Sequence, residues 1–217
     1  MSLYEQLAAE REQVAYFMRR LYNKNLTTSS GGNISFRIDG DHVLLTPSAL
    51  DKGELTADQI LLSTLAGENL SPHLKPTVET SMHFAVYRAR PDVKAVVHAH
   101  PVFATAFACV DREFDTGLTS EIYMHVPKIG RAPFATPGSD ELAGLVAESL
   151  ADANVSLMRN HGVIAAAPTL YKAFDLLESV ETAAKITFAS TLLSTPNQPA
   201  HPLTAPQRHA IDLLCGR

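Results

Sequence analysis

The segment Ala95-Val96-Val97-His98-Ala99-His100-Pro101 is an apolar run ending in two histidines one residue apart, and it constrains the fold more than any other stretch. On an extended strand residues i and i+2 share a face, so the His98 and His100 imidazoles converge while Ala99 turns away. Neutral imidazole is the commonest ligand for Zn²⁺, and a catalytic zinc takes about three protein ligands with one position left open. The third candidate is His161 in Arg159-Asn160-His161-Gly162, between the apolar segments 155–158 and 163–166. Glu79, in Lys75-Pro76-Thr77-Val78-Glu79, is the charged partner for such a site. The competing reading of the histidine pair is two satisfied polar groups at a sheet edge. The His-Gly turn closing another apolar segment tips the balance towards metal.

A chain of 217 residues with 46% hydrophobic and 19% charged side chains can bury one real core, which argues against overall disorder. Lys plus Arg number 18 against 23 Asp plus Glu, and no basic cluster stands out, so neither nucleic acid nor an anionic membrane is expected as a partner. Cys109 and Cys215 make no disulfide framework, which fits a reducing compartment. The N-terminus lacks a cationic stretch followed by an apolar one, and no apolar run reaches the ~20 residues of a membrane span. A soluble, cytoplasmic protein is the expectation.

Leu3, Leu7, Val14, Phe17, Met18 and Leu21 recur at helical spacing behind a Ser2/Glu5 capping box, which predicts one helix over 2–21. Strands are expected at 36–38, 43–45 and 60–63, the first two joined by an Asp39-Gly40-Asp41 hairpin turn. Pro76 starts a helix over 77–90 that Pro91 stops. Glu79 then lies in its first turn, where the helix dipole alone favours a carboxylate, and His83 four residues on reads as its hydrogen-bond partner. Further expectations are a helix over 102–110, irregular chain over 111–128, a strand over 129–135 and a helix over 140–150. They continue with strands at 155–158 and 163–166 and a long helix over 169–193. Residues 194–206 hold four prolines and read as a linker, and Thr204 with Gln207 caps a short last helix to Leu214. Residues 1–193 therefore read as one domain, with 194–217 as a tail packed on it or on a neighbouring subunit. Strict strand-helix-strand alternation is missing, which predicts a mixed or antiparallel sheet in α+β or α/β/α layering.

Ser29-Ser30-Gly31-Gly32-Asn33 offers hydroxyls, an amide and unshielded backbone N–H groups, the equipment of an anion site built without lysine. It is neither a P-loop nor the dinucleotide glycine pattern. The alternative is a flexible turn before a strand. The phosphate reading requires the turns of Ser48 and Thr77 to meet this loop.

Six motifs follow one another in a recognisable order: Ser-Gly-Gly-Asn-Ile-Ser, Thr-Pro-Ser, Lys-Pro-Thr-Val-Glu, Val-Val-His-Ala-His, Ala-Thr-Pro-Gly-Ser and Asn-His-Gly-Val. In this the chain, up to about Leu193, resembles the class II aldolase and adducin-head family, and within it the L-fuculose-phosphate aldolase branch. The resemblance implies a three-layer α/β/α domain with a central, mainly antiparallel sheet, and a homotetramer with active sites between subunits. It implies zinc on His98, His100 and His161, with Glu79 as ligand in the resting site and proton shuttle in turnover. Substrate phosphate would fall to Ser30, Gly32, Asn33, Ser48 and Thr77, and Tyr123 would reach the aldehyde side of a neighbouring site; its plainer reading is an interface aromatic. The implied reaction is reversible cleavage of a ketose 1-phosphate to dihydroxyacetone phosphate and a small aldehyde through a zinc-stabilised enediolate.

Three positions depart from the pattern. Ala49 stands where the aldolases commonly carry glycine, Val78 where they carry a second serine, and Pro137 where the fuculose-phosphate enzyme has an aromatic. Val78 cannot replace a hydroxyl, a loss of about 1.5–3 kcal/mol if that bond went to a charged oxygen. This keeps open a sugar-acid phosphate decarboxylase and an aldolase for unphosphorylated substrates. An epimerase fits poorly, because no tyrosine follows Tyr171. A non-catalytic adducin-like interaction module and a purely structural zinc are the remaining alternatives; the three histidines and Glu79 argue against the module, and a structural zinc needs a fourth fixed ligand.

Overall fold

A computed structural model of the chain describes residues 1–112 and 114–217. Seven strands form one sheet: β1 (Asn33–Arg37), β2 (His42–Leu45), β3 (Leu61–Thr64), β4 (Ala95–Ala99), β5 (Gly130–Ala132), β6 (Val155–Met158) and β7 (Gly162–Ala167). Their order is β3-β2-β1-β4-β7-β6-β5, antiparallel at every junction except β5 with β6. The histidine strand β4 thus lies in the middle, between β1 and β7.

The period of two along β4 assigns its side chains to opposite layers. Ala95, Val97 and Ala99 join one core with Ile34 of β1, Val163 and Ala165 of β7, and the helices α2 (Ala8–Asn23), α4 (Val102–Ala108) and α7 (Leu170–Leu193). Val96 joins the other with Ile164 and Ala166, under α3 (Thr80–Ala89) and α6 (Asp140–Ser149). This is the expected α/β/α sandwich with a mainly antiparallel sheet. Each fully buried aliphatic side chain in these layers contributes roughly 1.5–3 kcal/mol by leaving water. The Asp39 carboxylate closes the β1–β2 turn by accepting from the N–H groups of Asp41 and His42.

Several boundaries differ from the sequence reading. The first helix is two pieces, α1 (Leu3–Gln6) and α2, which meet at Leu7, where ψ reaches 22°. The helix expected over 77–90 begins at Thr80, because Pro76 and Thr77 are held in a turn that pairs with the Thr46-Pro47-Ser48 turn. The strand expected over 129–135 keeps only three residues, since β6 pairs with no more of it. The irregular stretch contains a 3₁₀ turn at Thr116–Leu118 and helix α5 (Ser120–His125), each with its own side-chain cap, Asp115 and Thr119. Helix α8 (Ala205–Leu214) carries the expected Thr204/Gln207 capping box. It contacts α5 through Tyr123 and Asp212, and Arg208 forms a bidentate pair with Asp115. Among the described residues no helix is long and apolar enough to cross a membrane.

Candidate active site

The centre of the sheet brings His98, His100 and His161 together, with one ligand nitrogen from each lying within 4.8 Å of the others. The antiparallel ladder does this. β4 presents His98 and, one step past its end, His100, whose ring centroids are 4.6 Å apart. The turn from β6 to β7 presents His161, with centroids 4.8 Å from His98 and 5.6 Å from His100. That turn needs Asn160 at φ 55°, a left-handed conformation that asparagine tolerates.

Glu79 caps the start of α3 and is 6% exposed. Its Oε1 is 3.0 Å from His161 Nε2, and its Oε2 is 3.4 Å from His98 Nε2. Asn33 Nδ2 donates to Oε2 at 2.7 Å. Burial by itself would raise the Glu79 pKa; the neighbouring His98 and His161 rings and the bond from Asn33 outweigh it and hold the carboxylate ionised.

Two of the histidines are pushed towards the neutral form. Burial pushes His98 down to about 4, and burial with the neighbouring His161 pushes His100 down. His98 Nδ1 lies 2.9 Å from the Val163 carbonyl, which can only accept, so Nδ1 carries the proton and Nε2 a bare lone pair. That bare nitrogen faces a carboxylate oxygen. Buried Glu79 Oε1, His98 Nε2 and His161 Nδ1 all lack a hydrogen-bond partner among the described residues. Buried acceptors left without a donor in a dry site are what a cation between them would satisfy. Three imidazoles and one carboxylate, with the His98 ring oriented from behind by a backbone carbonyl, fit a divalent metal.

The three polar turns also converge. Asn33 Nδ2 reaches Thr77 Oγ1 at 3.2 Å, and Ser48 Oγ donates to the Pro76 carbonyl at 2.9 Å. Gly31 and Gly32 press against the histidine strand: a β-carbon on Gly31 would meet His100 Nδ1 at 3.0 Å, and one on Gly32 would meet the His98 carbonyl at 2.8 Å. Gly32 also has φ +68°, so glycine is needed twice over. Within this cluster the side-chain donors of Ser48 and Asn33 are already spent, whereas Ser30 is exposed. Val78 is 68% exposed beside them.

Two features were not foreseen. His83 does not bond to Glu79: its Nε2 meets Asn33 Oδ1 and its Nδ1 meets Ser35 Oγ at 2.7 Å. Glu79 caps α3 rather than lying inside it, and strand β1 supplies nearer partners for the ring. Lys52, unremarked in the sequence, is 2% exposed; its N–H donates to the Ser29 carbonyl at 2.8 Å and its ammonium to the Pro47 carbonyl, tying two of the turns together. Tyr123, 8% exposed, donates to Asp212 at 3.1 Å in α8. A separate cleft of about 480 Å³, lined by Asp115, Thr116, Lys128, Arg131 and Arg208, has its cations already engaged, Lys128 with Asp152, Arg208 with Asp115 and Arg131 with the Arg112 carbonyl.

Comparison with known proteins shows the family and the fold. The sequence profile of the Class II Aldolase and Adducin N-terminal domain matches residues 12–188. A 5-deoxy-D-ribulose 1-phosphate aldolase of Bacillus thuringiensis serovar kurstaki is 31% identical over 88% of this chain and 89% of its own. A 3-oxo-tetronate 4-phosphate decarboxylase of Haemophilus influenzae is also 31% identical, over 83% and 87%. The solved structure of an L-fuculose 1-phosphate aldolase superposes with a TM-score of 0.84 at 27% identity, covering 95% of this chain and 96% of that one.

Proposed function

Because the chain belongs to the class II aldolase and adducin N-terminal domain family, we propose that it is a zinc-dependent aldolase cleaving a ketose 1-phosphate to dihydroxyacetone phosphate and a small aldehyde. The observation that carries this reading is the meeting of three imidazoles with the buried Glu79 carboxylate. His98, His100 and His161 would hold the metal, with Glu79 as a fourth, displaceable ligand; the nitrogen-rich set suits Zn²⁺, and Co²⁺ or Mn²⁺ can enter it. When bound, the divalent cation supplies Lewis-acid polarisation of the substrate carbonyl, so no lysine Schiff base is needed.

The chain's own residues do the rest. In cleavage the C3–C4 bond breaks with its electron pair left on C3, Glu79 takes the C4 hydroxyl proton as the aldehyde forms, and it then delivers that proton to C3. In synthesis Glu79 takes that proton. Ser30, the Gly32 N–H, Asn33, Ser48 and Thr77 are assigned to the substrate phosphate, with Ser48 giving up the Pro76 carbonyl and Asn33 turning to it the N–H now on Thr77 while keeping its bond to Glu79. Tyr123 is assigned to the aldehyde side of a neighbouring subunit's site in a homotetramer, releasing Asp212 when it engages. In its present place burial and that carboxylate push its phenol pKa up, and the hydroxyl donates to Asp212. Exposed Val102, Phe188, Leu192 and Leu193 support a face covered by another copy.

A second reading is decarboxylation of a 3-oxo acid phosphate through the same electron sink. It is favoured by Val78, which stands where the aldolases of this family commonly place a serine, and by the decarboxylase relative of equal identity. The deciding experiment is a screen of ketose 1-phosphates and 3-oxo-acid phosphates with metal-loaded protein, reading dihydroxyacetone phosphate and CO₂ separately. Glu79→Gln should retain metal and lose proton exchange on dihydroxyacetone phosphate. Unchanged exchange removes Glu79 from the mechanism.

A further inference from the structure

Behind Glu79 a line of hydrogen bonds runs away from the histidines into the α3 layer. Asn33 and Ser35 are two apart on β1 and share a face; His83 and Tyr87 are four apart on α3 and share a face. The two faces interleave. Asn33 Nδ2 is 2.7 Å from Glu79 Oε2, Asn33 Oδ1 meets His83 Nε2, His83 Nδ1 is 2.7 Å from Ser35 Oγ, and Ser35 Oγ is 2.7 Å from Tyr87 OH. The Lys94 carbonyl lies beyond, 3.2 Å from the tyrosine oxygen. His83 and Ser35 are fully buried, Tyr87 is 1% exposed and Asn33 4%.

Chemistry gives this line a single direction. A carboxylate only accepts, so the amide nitrogen of Asn33 must face Glu79 and its carbonyl must face His83. That carbonyl only accepts, so Nε2 of His83 carries the ring proton. Nδ1 is then bare and takes the Ser35 hydroxyl proton, and Ser35 Oγ takes that of Tyr87. From Ser35 onward every donor points towards Glu79, and the Tyr87 hydroxyl is shared between Ser35 Oγ and the Lys94 carbonyl.

We infer that His83 is a positioning residue for the Glu79 base: held as its Nε2–H tautomer by Ser35 and Tyr87, it locks the Asn33 amide and thereby fixes which carboxylate oxygen moves the proton. The inference rests on the reading of Glu79 as the base. Oε2 accepts from Asn33 and is the poorer proton acceptor. Oε1 accepts no bond among the described residues and turns to the histidines, so Oε1 carries the proton. A neutral ring is required, and burial supplies it by pushing His83 down to about 3. Without the imidazole the Asn33 amide can rotate, presenting its oxygen to Glu79 and losing the bond.

The test uses full-length protein labelled with ¹⁵N-histidine. At neutral pH, with zinc bound and without, the ring spectrum should show His83 protonated at Nε2 alone, and Ser35→Ala should blur that preference. Protonation at Nδ1 overturns the proposal, with no reference to activity. In zinc-loaded enzyme, His83→Leu should lower kcat for proton exchange on dihydroxyacetone phosphate by ~10-fold or more with KM little changed. His83→Gln, whose amide can still donate to Asn33, should recover part of the loss. Equal losses in the two variants, or a loss confined to KM, overturn it. Glu79→Gln run alongside separates the two claims: full exchange there defeats the base itself, whereas abolished exchange with an unaffected His83→Leu defeats only the positioning role. Should His83→Leu not fold, the tautomer in wild type and Ser35→Ala decides.

Discussion

A β-carbon on Gly162 would stand 2.8 Å from Cδ2 of His100, as well as 2.6 Å from the Ala99 carbonyl and 3.3 Å from Cε1 of His98. The glycine after His161 is therefore a packing requirement of the histidine cluster, because strand β7 must touch both rings on β4. Gly162→Ala should push β7 away from His100 and carry His161 with it. We expect a stability loss of about 1–3 kcal/mol, typical of overpacking, and a much larger relative loss of bound metal. Denaturant unfolding and the metal content after dialysis measure the two. A variant that keeps one metal per chain shows that the turn can yield.

Metal removal gives a second test. A ligand held by the folded chain alone stabilises it by about 2.7 kcal/mol at a hundredfold excess over Kd. In a chain of this length 1 kcal/mol moves Tm by about 2–4 °C. Chelation should therefore lower the Tm of wild type by roughly 5–10 °C, and Zn²⁺ should restore it. His100→Ala should start near the lower value and ignore the chelator. A wild-type Tm indifferent to chelation contradicts the metal site.

Acid should unfold the metal-free protein early. His83 is held down to about 3 and His98 to about 4, both chiefly by burial, so each is neutral in the fold and protonates more readily in the unfolded chain. Below the unfolded pKa near 6.5 the unfolded state binds more protons, and stability falls as pH falls. Glu79, held down against burial by the neighbouring His98 and His161 rings and the bond from Asn33, adds to the loss with the same sign below its unfolded value. The two histidines together account for up to about 4 kcal/mol between pH 6.5 and 5. Urea unfolding across that range should show the slope, and His83→Gln should remove about half of it. A flat profile contradicts the neutral, buried rings.

The metal-ligand candidates were legible because their geometry is local: two histidines at period two, and a His-Gly turn between apolar runs. The α/β/α layering was legible from the order of strands and helices taken with the family resemblance. His83 was misread because the spacing of four inside a helix names Glu79, whereas its partners come from β1, about fifty positions away. The break at Leu7 was hidden because apolar spacing runs on through it. Ala49 shows the converse case: a glycine is commonly found at that place in the family, and the alanine here does adopt φ 61°, a conformation costing roughly 1–2 kcal/mol for a residue with a β-carbon. Lys52 escaped notice because no motif marks a cation that is buried by distant turns.

Lys52 carries the last prediction. Burial lowers its pKa to about 8, since the ammonium has left water for one backbone carbonyl. A lysine is the cation here, so the shift works against the fold: at neutral pH the unfolded chain holds this proton more tightly than the native one. Stability should rise as pH climbs from about 8 to the unfolded value near 10.4, by up to about 3 kcal/mol from this group. Lys52→Met removes the charge while keeping most of the stem's bulk. The variant should be more stable than wild type at pH 7, less the hydrogen bond lost to Pro47, and the difference should shrink towards pH 10. Were Lys52→Met instead less stable at pH 7, with a gap independent of pH, the ammonium would be stabilising the two turns it joins, and its lone contact with the Pro47 carbonyl would be worth more than its desolvation costs.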